Sequence, residues 1–428
     1  MPEFQTSPGM RDILAPESAR WRRFVQVFAD TVEAAGYEQI IPPLLEDIGV
    51  FSRVGEATDV VTKEMYDFVD KGERHVALRP EQTASVCRAF VQHRPTLPWK
   101  AWYSGPNFRY EKPQRGRFRQ FDQVGVEVLG PTDPAVDVEV IALGWRFFQA
   151  LGLRQVTLRL NSLGEPADRL RYTEALRKHF GDHASELADE TRSTLARNPL
   201  RVLDSKRSED AAVLRSAPRI DDFFTEAAAH HFARVRAGLD ALGIPYTRDE
   251  RLVRGLDYYR FTTFEYAGGT LDSAQNALGG GGRYDGLVED LGGPSTPGIG
   301  FALGLDRTLL ACDDEGVFGA LPVSIDVFVI DTTGGLEATV LTDEFRSAGL
   351  SADRAYDNRS MKSQMKAADR GNARVAVIIG SDELASGRAV VRPMNGGEQF
   401  TVPRATLLDD VLRVLRGSEP TPTPKESQ

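Results

Sequence analysis

Residues 108–130, FRYEKPQRGRFRQFDQVGVEVLG, decide how the rest of this chain is read. They suggest two strands joined by a charged loop, the first ending over 108–111 and the second running over 120–129. Along the second, Val124, Val126 and Val128 fall on one face, and Phe121, Gln123, Gly125, Glu127 and Leu129 on the other, because successive strand side chains point to opposite sides. Valines suit burial beneath helices. The opposite face mixes an aromatic, an amide, a glycine and a carboxylate, an unusual set for a core. Arg109 and Glu111 also share a face. Paired as a hairpin, the strands would present Arg109, Glu111, Phe121, Gln123 and Glu127 together, as a pocket floor with a cation, a stacking ring and groups able to discriminate. Gly125 would leave room for a ligand to lie against the backbone. The same pattern also fits an exposed amphipathic hairpin with a solvated loop, so the remainder of the chain has to decide.

With 428 residues, 41% apolar and 27% charged, the chain has the size for two or three domains and an ordinary globular composition. A net charge of −10 does not advertise nucleic acid over the whole surface. The charge is uneven, however: Arg109, Lys112, Arg115, Arg117 and Arg119 stand against Glu111 alone. A net acidic protein can bind RNA through such a patch. Two distant cysteines, Cys87 and Cys312, make neither a disulfide framework nor a paired metal motif, which fits a reducing cytoplasm. The N-terminus lacks the basic and apolar regions of a signal peptide, and no apolar run is long enough for a membrane span.

Around this hairpin the chain alternates between periods. A helix is expected over 15–35, then a strand-like stretch over 37–43 closing on Pro42-Pro43, a unit suited to a dimer interface. Strands over 65–69 and 75–78 precede Arg79-Pro80-Glu81-Gln82-Thr83, which opens a helix; Glu81 and Thr83 either cap that helix or point into a pocket. The stretch 165–243 is mostly helical and reads as an insertion. His230-His231 within it has no acidic or sulfur ligand at metal spacing and reads as surface or partly buried. Strand patterning returns over 252–259 and 262–266. Gly279–Gly282 reads as a sharp turn allowing close backbone approach. After a boundary at 313–322, strands alternate with helices, as in an α/β domain with a mainly parallel or mixed sheet. No strand-linked GxGxxG and no GxxxxGK[ST] occurs, so bound phosphates would have to meet arginine side chains: Arg109, Arg119, Arg254 and Arg307.

These residues resemble a known family. The opening stretch is similar to motif 2 of class II aminoacyl-tRNA synthetases, GIGFALGLDR to motif 3 with Arg307 as its arginine, and GYEQIIPPLLED to motif 1 with Pro43 as its proline. RGLDYY (254–259) and LGGGGRYDGL (278–287) resemble the two signatures of histidyl-tRNA synthetases. The resemblance runs over essentially the whole chain before the tail. It implies an α+β catalytic domain on an antiparallel sheet (1–164 and 244–317), a helical insertion (165–243), an α/β anticodon-binding domain (323–416) and a disordered tail (417–428).

It implies, too, that histidine and ATP give histidyl-adenylate and pyrophosphate, and that the histidyl group passes to histidine tRNA. Arg109 would hold the α-phosphate, Glu111 the adenine amino group and Phe121 the adenine ring. Arg119 and Arg307 would bind the outer phosphates. Glu81, Gln82 and Thr83, with Gln123, would line the α-amino end; Glu127, Tyr258, Tyr259 and Tyr284 would build the imidazole pocket. Arg254 would face Arg109 across the α-phosphate. The loop 112–119 could reach ATP and the tRNA end, with Arg115 and Arg117 open to a reading as solvated charge. Magnesium would travel on the ATP phosphates, with no protein-held metal. A cytoplasmic homodimer, off the membrane, follows. Gln82 and Arg260-Phe261 depart from the family's smaller residues. The alternatives are a non-catalytic relative, the regulatory subunit of ATP phosphoribosyltransferase, and a class II enzyme for another amino acid. Arg254, Arg307 and the full C-terminal domain argue against the first, and RGLDYY with Glu127 against the second.

Overall fold

A computed structural model describes residues 4–53, 60–252, 258–271, 276–357 and 359–417. The chain divides into two compact units, the first holding residues 1–14 and 20–319 and the second residues 15–19 and 320–428. Strands of the first unit are β1 (Glu38–Gln39), β2 (Leu45–Asp47), β3 (Tyr66–Val69), β4 (His75–Leu78), β5 (Trp99–Phe108), β6 (Gln120–Leu129), β7 (Val156–Ser162), β8 (Thr247–Arg248), β9 (Arg260–Gly268), β10 (Ala277–Arg283) and β11 (Gly298–Gly304). Eight of them form one sheet in the order β1-β5-β6-β11-β10-β9-β7-β8. Its six inner strands run antiparallel, and the two short edge strands pair parallel with their neighbours.

The expected hairpin is its centre. β5 and β6 pair without interruption from Trp99 opposite Leu129 to Phe108 opposite Gln120. Val124, Val126 and Val128 are buried under the helices Glu17–Glu33 and Pro134–Ala150, among Phe24, Phe28, Val140, Ile141 and Phe147. Burying each valine contributes roughly 1.5–3 kcal/mol. Phe28 meets Trp102, Phe147 and Phe301 edge-on at 6.1, 5.1 and 6.2 Å, a geometry that ring quadrupoles favour.

Several local expectations are corrected. The first hairpin strand stops at Phe108 rather than continuing to Glu111, although the Arg109 N–H still donates to the Arg119 carbonyl at 2.8 Å. The strand expected over 37–43 shrinks to β1, because Pro42 and Pro43 offer no N–H to a ladder. The glycine run is no turn: it fills β10, in mid-sheet between β9 and β11. Side chains at Gly279 and Gly281 would collide with the backbone of β11 at Ala302–Leu303 and Gly300–Phe301, so glycine lets two strands lie unusually close. Of the strand expected over 252–259, residues 253–257 lie outside the described residues, and Tyr258 and Tyr259 precede β9 in non-strand conformation.

Helices Pro166–Asp182, Asp189–Arg197 and Ala211–Arg215 enclose a separate core around Leu176, Phe180, Val202 and Ile220, whereas helix Glu226–Ala241 packs Phe232, Val235 and Leu239 into the main core. His231, in the last of these, places its Nε2 3.2 Å from Asp137, which also binds Arg283. The histidine thus closes a buried charge group behind β10. The second unit carries β12 (Val327–Asp331), β13 (Ala352–Arg354), β14 (Val375–Ile379), β15 (Arg388–Pro393) and β16 (Phe400–Pro403) in the order β13-β12-β14-β15-β16. Its first three strands are parallel and the last two antiparallel, a mixed sheet with helices Leu336–Ser347, Met361–Arg370 and Leu407–Leu415. Among the described residues no helix is long and apolar enough to cross a membrane.

Candidate active site

The polar face of the hairpin opens into a cleft of about 230 Å³ in the first unit. Glu81, Thr83, Arg109, Glu111, Phe121, Gln123, Tyr258, Tyr259 and Arg307 all line it. These residues come from five separated stretches, so the fold gathers what the sequence scatters. Arg254 lies outside the described residues. Gln82, Arg119, Glu127 and Tyr284 are not among the lining residues.

One end of the cleft is cationic. Arg109 donates from Nε to the Pro80 carbonyl at 2.9 Å, and its guanidinium carbon sits 5.3 Å from the Phe121 ring centre. Arg307 is held by the carbonyls of Ala277 at 3.1 Å and Gly116 at 3.3 Å. Burial, then the nearby Arg117 charge, lowers the Arg307 pKa from its ordinary value. An arginine remains charged even so. The third cation is Arg117, whose Nε lies 2.6 Å from Glu111 Oε2. Arg119 turns away instead: its guanidinium stacks on Tyr110 at 3.7 Å and its Nε donates to the Glu111 carbonyl at 3.2 Å. Strand parity gives Arg115, Arg117 and Arg119 one direction. The tight turn through Gly116, with φ +71°, breaks that parity and sorts them. Arg115 pairs at the surface with Asp314 at 3.3 Å.

The other end is built around buried hydroxyls and carboxylates. Glu81 both caps the helix Thr83–His93, accepting from the N–H groups of Thr83 at 2.7 Å and Ala84 at 2.8 Å, and lines the cleft. Gln82 is buried beneath, with its amide nitrogen 3.4 Å from the Gly105 carbonyl. Gln123 accepts from Asn107 Nδ2 at 2.9 Å. The Tyr258 and Tyr259 rings, tilted by 52° with centres 4.6 Å apart, form a wall. Glu127 lies one layer below, fully buried, accepting from Thr83 Oγ1 at 2.7 Å, Tyr284 Oη at 2.6 Å and Tyr103 Oη at 3.2 Å. A carboxylate offers about four acceptor positions, so these three bonds leave it capacity for one more. The space over Gly125 is not open to a ligand, because the Tyr103 ring occupies it.

Burial pushes the Glu127 carboxyl up to about 8, against the opposing effect of Tyr284 and Thr83. A raised carboxyl in the fold means that its contribution to stability is fully present below the ordinary carboxylate range and is lost as pH rises toward 8. Glu127→Gln, which carries no ionisable group, should therefore gain stability relative to the parent between about pH 5 and pH 8. Ligand-free thermal melts of both proteins across that range measure it, and a pH-independent difference would contradict the assignment. A methyl group at Gly300 would strike the Glu127 carboxylate and the Val126 carbonyl. Gly300→Ala should lower stability by about 2 kcal/mol, read by denaturant titration.

Two cleft-lining carboxylates escaped the sequence reading, Asp122 and Asp306. Burial, with the Asp306 charge next, raises Asp122 to about 6, and burial raises Asp306 as well. Arg11 binds Asp306 at 2.6 Å. Among the described residues no group of three or more His, Cys, Asp or Glu is disposed to hold a metal ion.

An antiparallel sheet carrying an arginine-lined cleft, followed by a separate α/β unit, is the architecture of the class II aminoacyl-tRNA synthetases that the three motifs resemble. A family model for histidyl-tRNA synthetase matches residues 9–308, and one for an anticodon-binding domain matches residues 325–413. The chain is 45% identical to a histidine–tRNA ligase of Geobacillus thermodenitrificans over 97% of its length and 100% of that protein. It is 47% identical to one of Nocardia farcinica over 96% of its length and 98% of that protein. The crystal structure of apo S. aureus histidyl-tRNA synthetase superposes with a TM-score of 0.80 at 38% identity, covering 95% of this chain and 99% of that one. The chain belongs to the histidyl-tRNA synthetase family.

Proposed function

We propose that this protein ligates L-histidine to histidine tRNA at the expense of ATP, through histidyl-adenylate, releasing AMP and pyrophosphate. The convergence of Arg109, Arg117 and Arg307 with Glu81, Thr83, Gln123, Tyr258 and Tyr259 on one cleft carries this reading. Adenylation is an attack by a carboxylate on phosphorus. Two anions must meet, so positioning and fixed positive charge supply most of the catalysis.

Phe121 stacks on adenine while Glu111 receives its amino group, and Arg109 holds the α-phosphate. Arg307 takes the outer phosphates; Arg117 shares that task from within the cleft, and Arg119 joins only if the loop turns. Arg254 faces Arg109. Glu81, Thr83 and Gln123 hold the α-amino end, with Gln82 packed beneath them. Tyr258 and Tyr259 wall the imidazole, and Glu127, oriented by Tyr284, accepts its N–H. A ligand lacking that N–H would leave a buried acceptor unpaired. Magnesium fits as an ion carried by the ATP phosphates and water, since it needs few protein ligands.

The second unit reads the anticodon, and the domain limits follow the sequence reading. The protein works in the cytoplasm as a homodimer. Ile41, Leu44 and Leu45, beside Pro42-Pro43, are 79%, 43% and 45% exposed, apolar surface that a second copy would cover. Charging assays with labelled histidine test the whole reaction. Histidyl-tRNA should form on histidine tRNA and not on other tRNAs; histidine activation without transfer would overturn the proposal.

A further inference from the structure

The N-terminal turn makes contacts that the reaction scheme above leaves unused. Arg11 does not line the cleft but reaches its wall from behind, where Nη2 lies 2.6 Å from Asp306 Oδ1. Asp306 is 8% exposed and directly precedes Arg307. The Arg11 guanidinium also sits 4.5 Å from the ring centre of Phe118, a cleft-lining residue of the basic loop, and 5.8 Å from that of Trp21. Two residues earlier, the Gly9 carbonyl accepts from the N–H groups of Arg119 at 2.8 Å and Gln120 at 3.3 Å. One short segment therefore braces the basic loop and the start of the helix Leu305–Glu315, the two elements that carry Arg117 and Arg307.

The electrostatic need is specific. Asp122 and Asp306 put two carboxylates into the wall of a cleft that must accept a polyanion. Arg79 and Arg11 are the cations acting on Asp122, and Arg11 and the Asp122 N–H act on Asp306. A bound guanidinium cancels the Asp306 charge without entering the space the nucleotide needs.

We infer that Arg11 is a positioning residue for the nucleotide: it neutralises Asp306 and fixes Phe118, so that Arg117 and Arg307 meet the phosphates without the Asp306 charge opposing them. This rests on the reading of the cleft as an ATP site. Removing the charge should leave Asp306 free to repel ATP, and protonation or amidation of Asp306 should relieve the defect.

The experiment measures ATP affinity by titration calorimetry on the full-length protein, with histidine-dependent ATP–pyrophosphate exchange alongside. Arg11→Met should weaken ATP binding about tenfold near pH 8, with histidine affinity unchanged and the melting temperature close to that of the parent. The defect should shrink toward pH 6. Arg11→Lys should retain most of the affinity, and Asp306→Asn placed in the Arg11→Met background should restore it, which a merely structural role for Arg11 would not allow. Unchanged ATP affinity in Arg11→Met, or a loss that neither low pH nor Asp306→Asn relieves, would overturn the inference. Parent protein that binds ATP but exchanges none with histidine would overturn the proposed reaction and leave this inference standing; parent protein that binds no ATP would overturn both.

Discussion

Arg307→Ala should slow histidine-dependent ATP–pyrophosphate exchange by about 10²–10³-fold, equivalent to about 3–4 kcal/mol of transition-state stabilisation, while the protein stays folded. The side chain is pre-positioned by two backbone carbonyls, those of Ala277 and Gly116, rather than by a carboxylate. The Glu111 and Glu265 carboxylates act on it as nearby charges. Burial already lowers its pKa, which means that the free site holds it at some disadvantage. Negative charge on the phosphates would remove that disadvantage, and charge developing on the departing pyrophosphate would profit most. The loss should therefore fall more on kcat than on the KM for histidine. Arg307→Lys should recover little, because a compact ammonium cannot span two carbonyls and a phosphate as a planar fork does. An exchange rate within threefold of the parent, in a folded Arg307→Ala protein, would contradict the role.

Glu127→Gln should raise the KM for histidine about a hundredfold and change the KM for ATP little. Both Glu127 oxygens accept hydroxyl hydrogen bonds, from Thr83 and Tyr103 on one and Tyr284 on the other. Three donors aimed at one buried carboxylate hold it ready as an acceptor. The imidazole N–H would be the fourth donor, and a cationic imidazole would also relieve the desolvation that pushes Glu127 up to about 8. Glutamine presents an amide with its own N–H groups to the same donors, so at least one contact becomes donor against donor. Steady-state exchange kinetics at saturating ATP, then at saturating histidine, separate the two effects. Equal losses for both substrates would remove Glu127 from the specificity pocket.

Much of the sheet was legible because alternation has a simple physical origin. Val124, Val126 and Val128 point to one side of β6, which the fold packs beneath helices, while Gly125, Glu127 and Leu129 are buried on the other side. β10 was misread because four consecutive glycines have no side chains to display a period, and glycine more often marks turns than packed mid-sheet strands. Arg117 and Arg119 exchanged places because a turn at Gly116 cancels strand parity, and nothing in RGRFR announces it. Asp122 shares its parity with the buried valines, so alternation pointed away from the cleft. Its partner Asp306 is distant in sequence, and Arg11 more distant again. Such pairings exist only in three dimensions. Glu81 shows a different lesson: capping a helix and lining a pocket looked like alternatives, yet one carboxylate does both, since a helix N-terminus is itself a pocket wall. The resemblance of motifs, rather than residue patterning, supplied the role expected of Arg254.

The central claim is that this cleft activates histidine with ATP. ATP–pyrophosphate exchange measured with each of the twenty amino acids in turn tests it most directly. Exchange with histidine alone is the predicted result; exchange with a different amino acid, or none with any while histidine still binds, would contradict it.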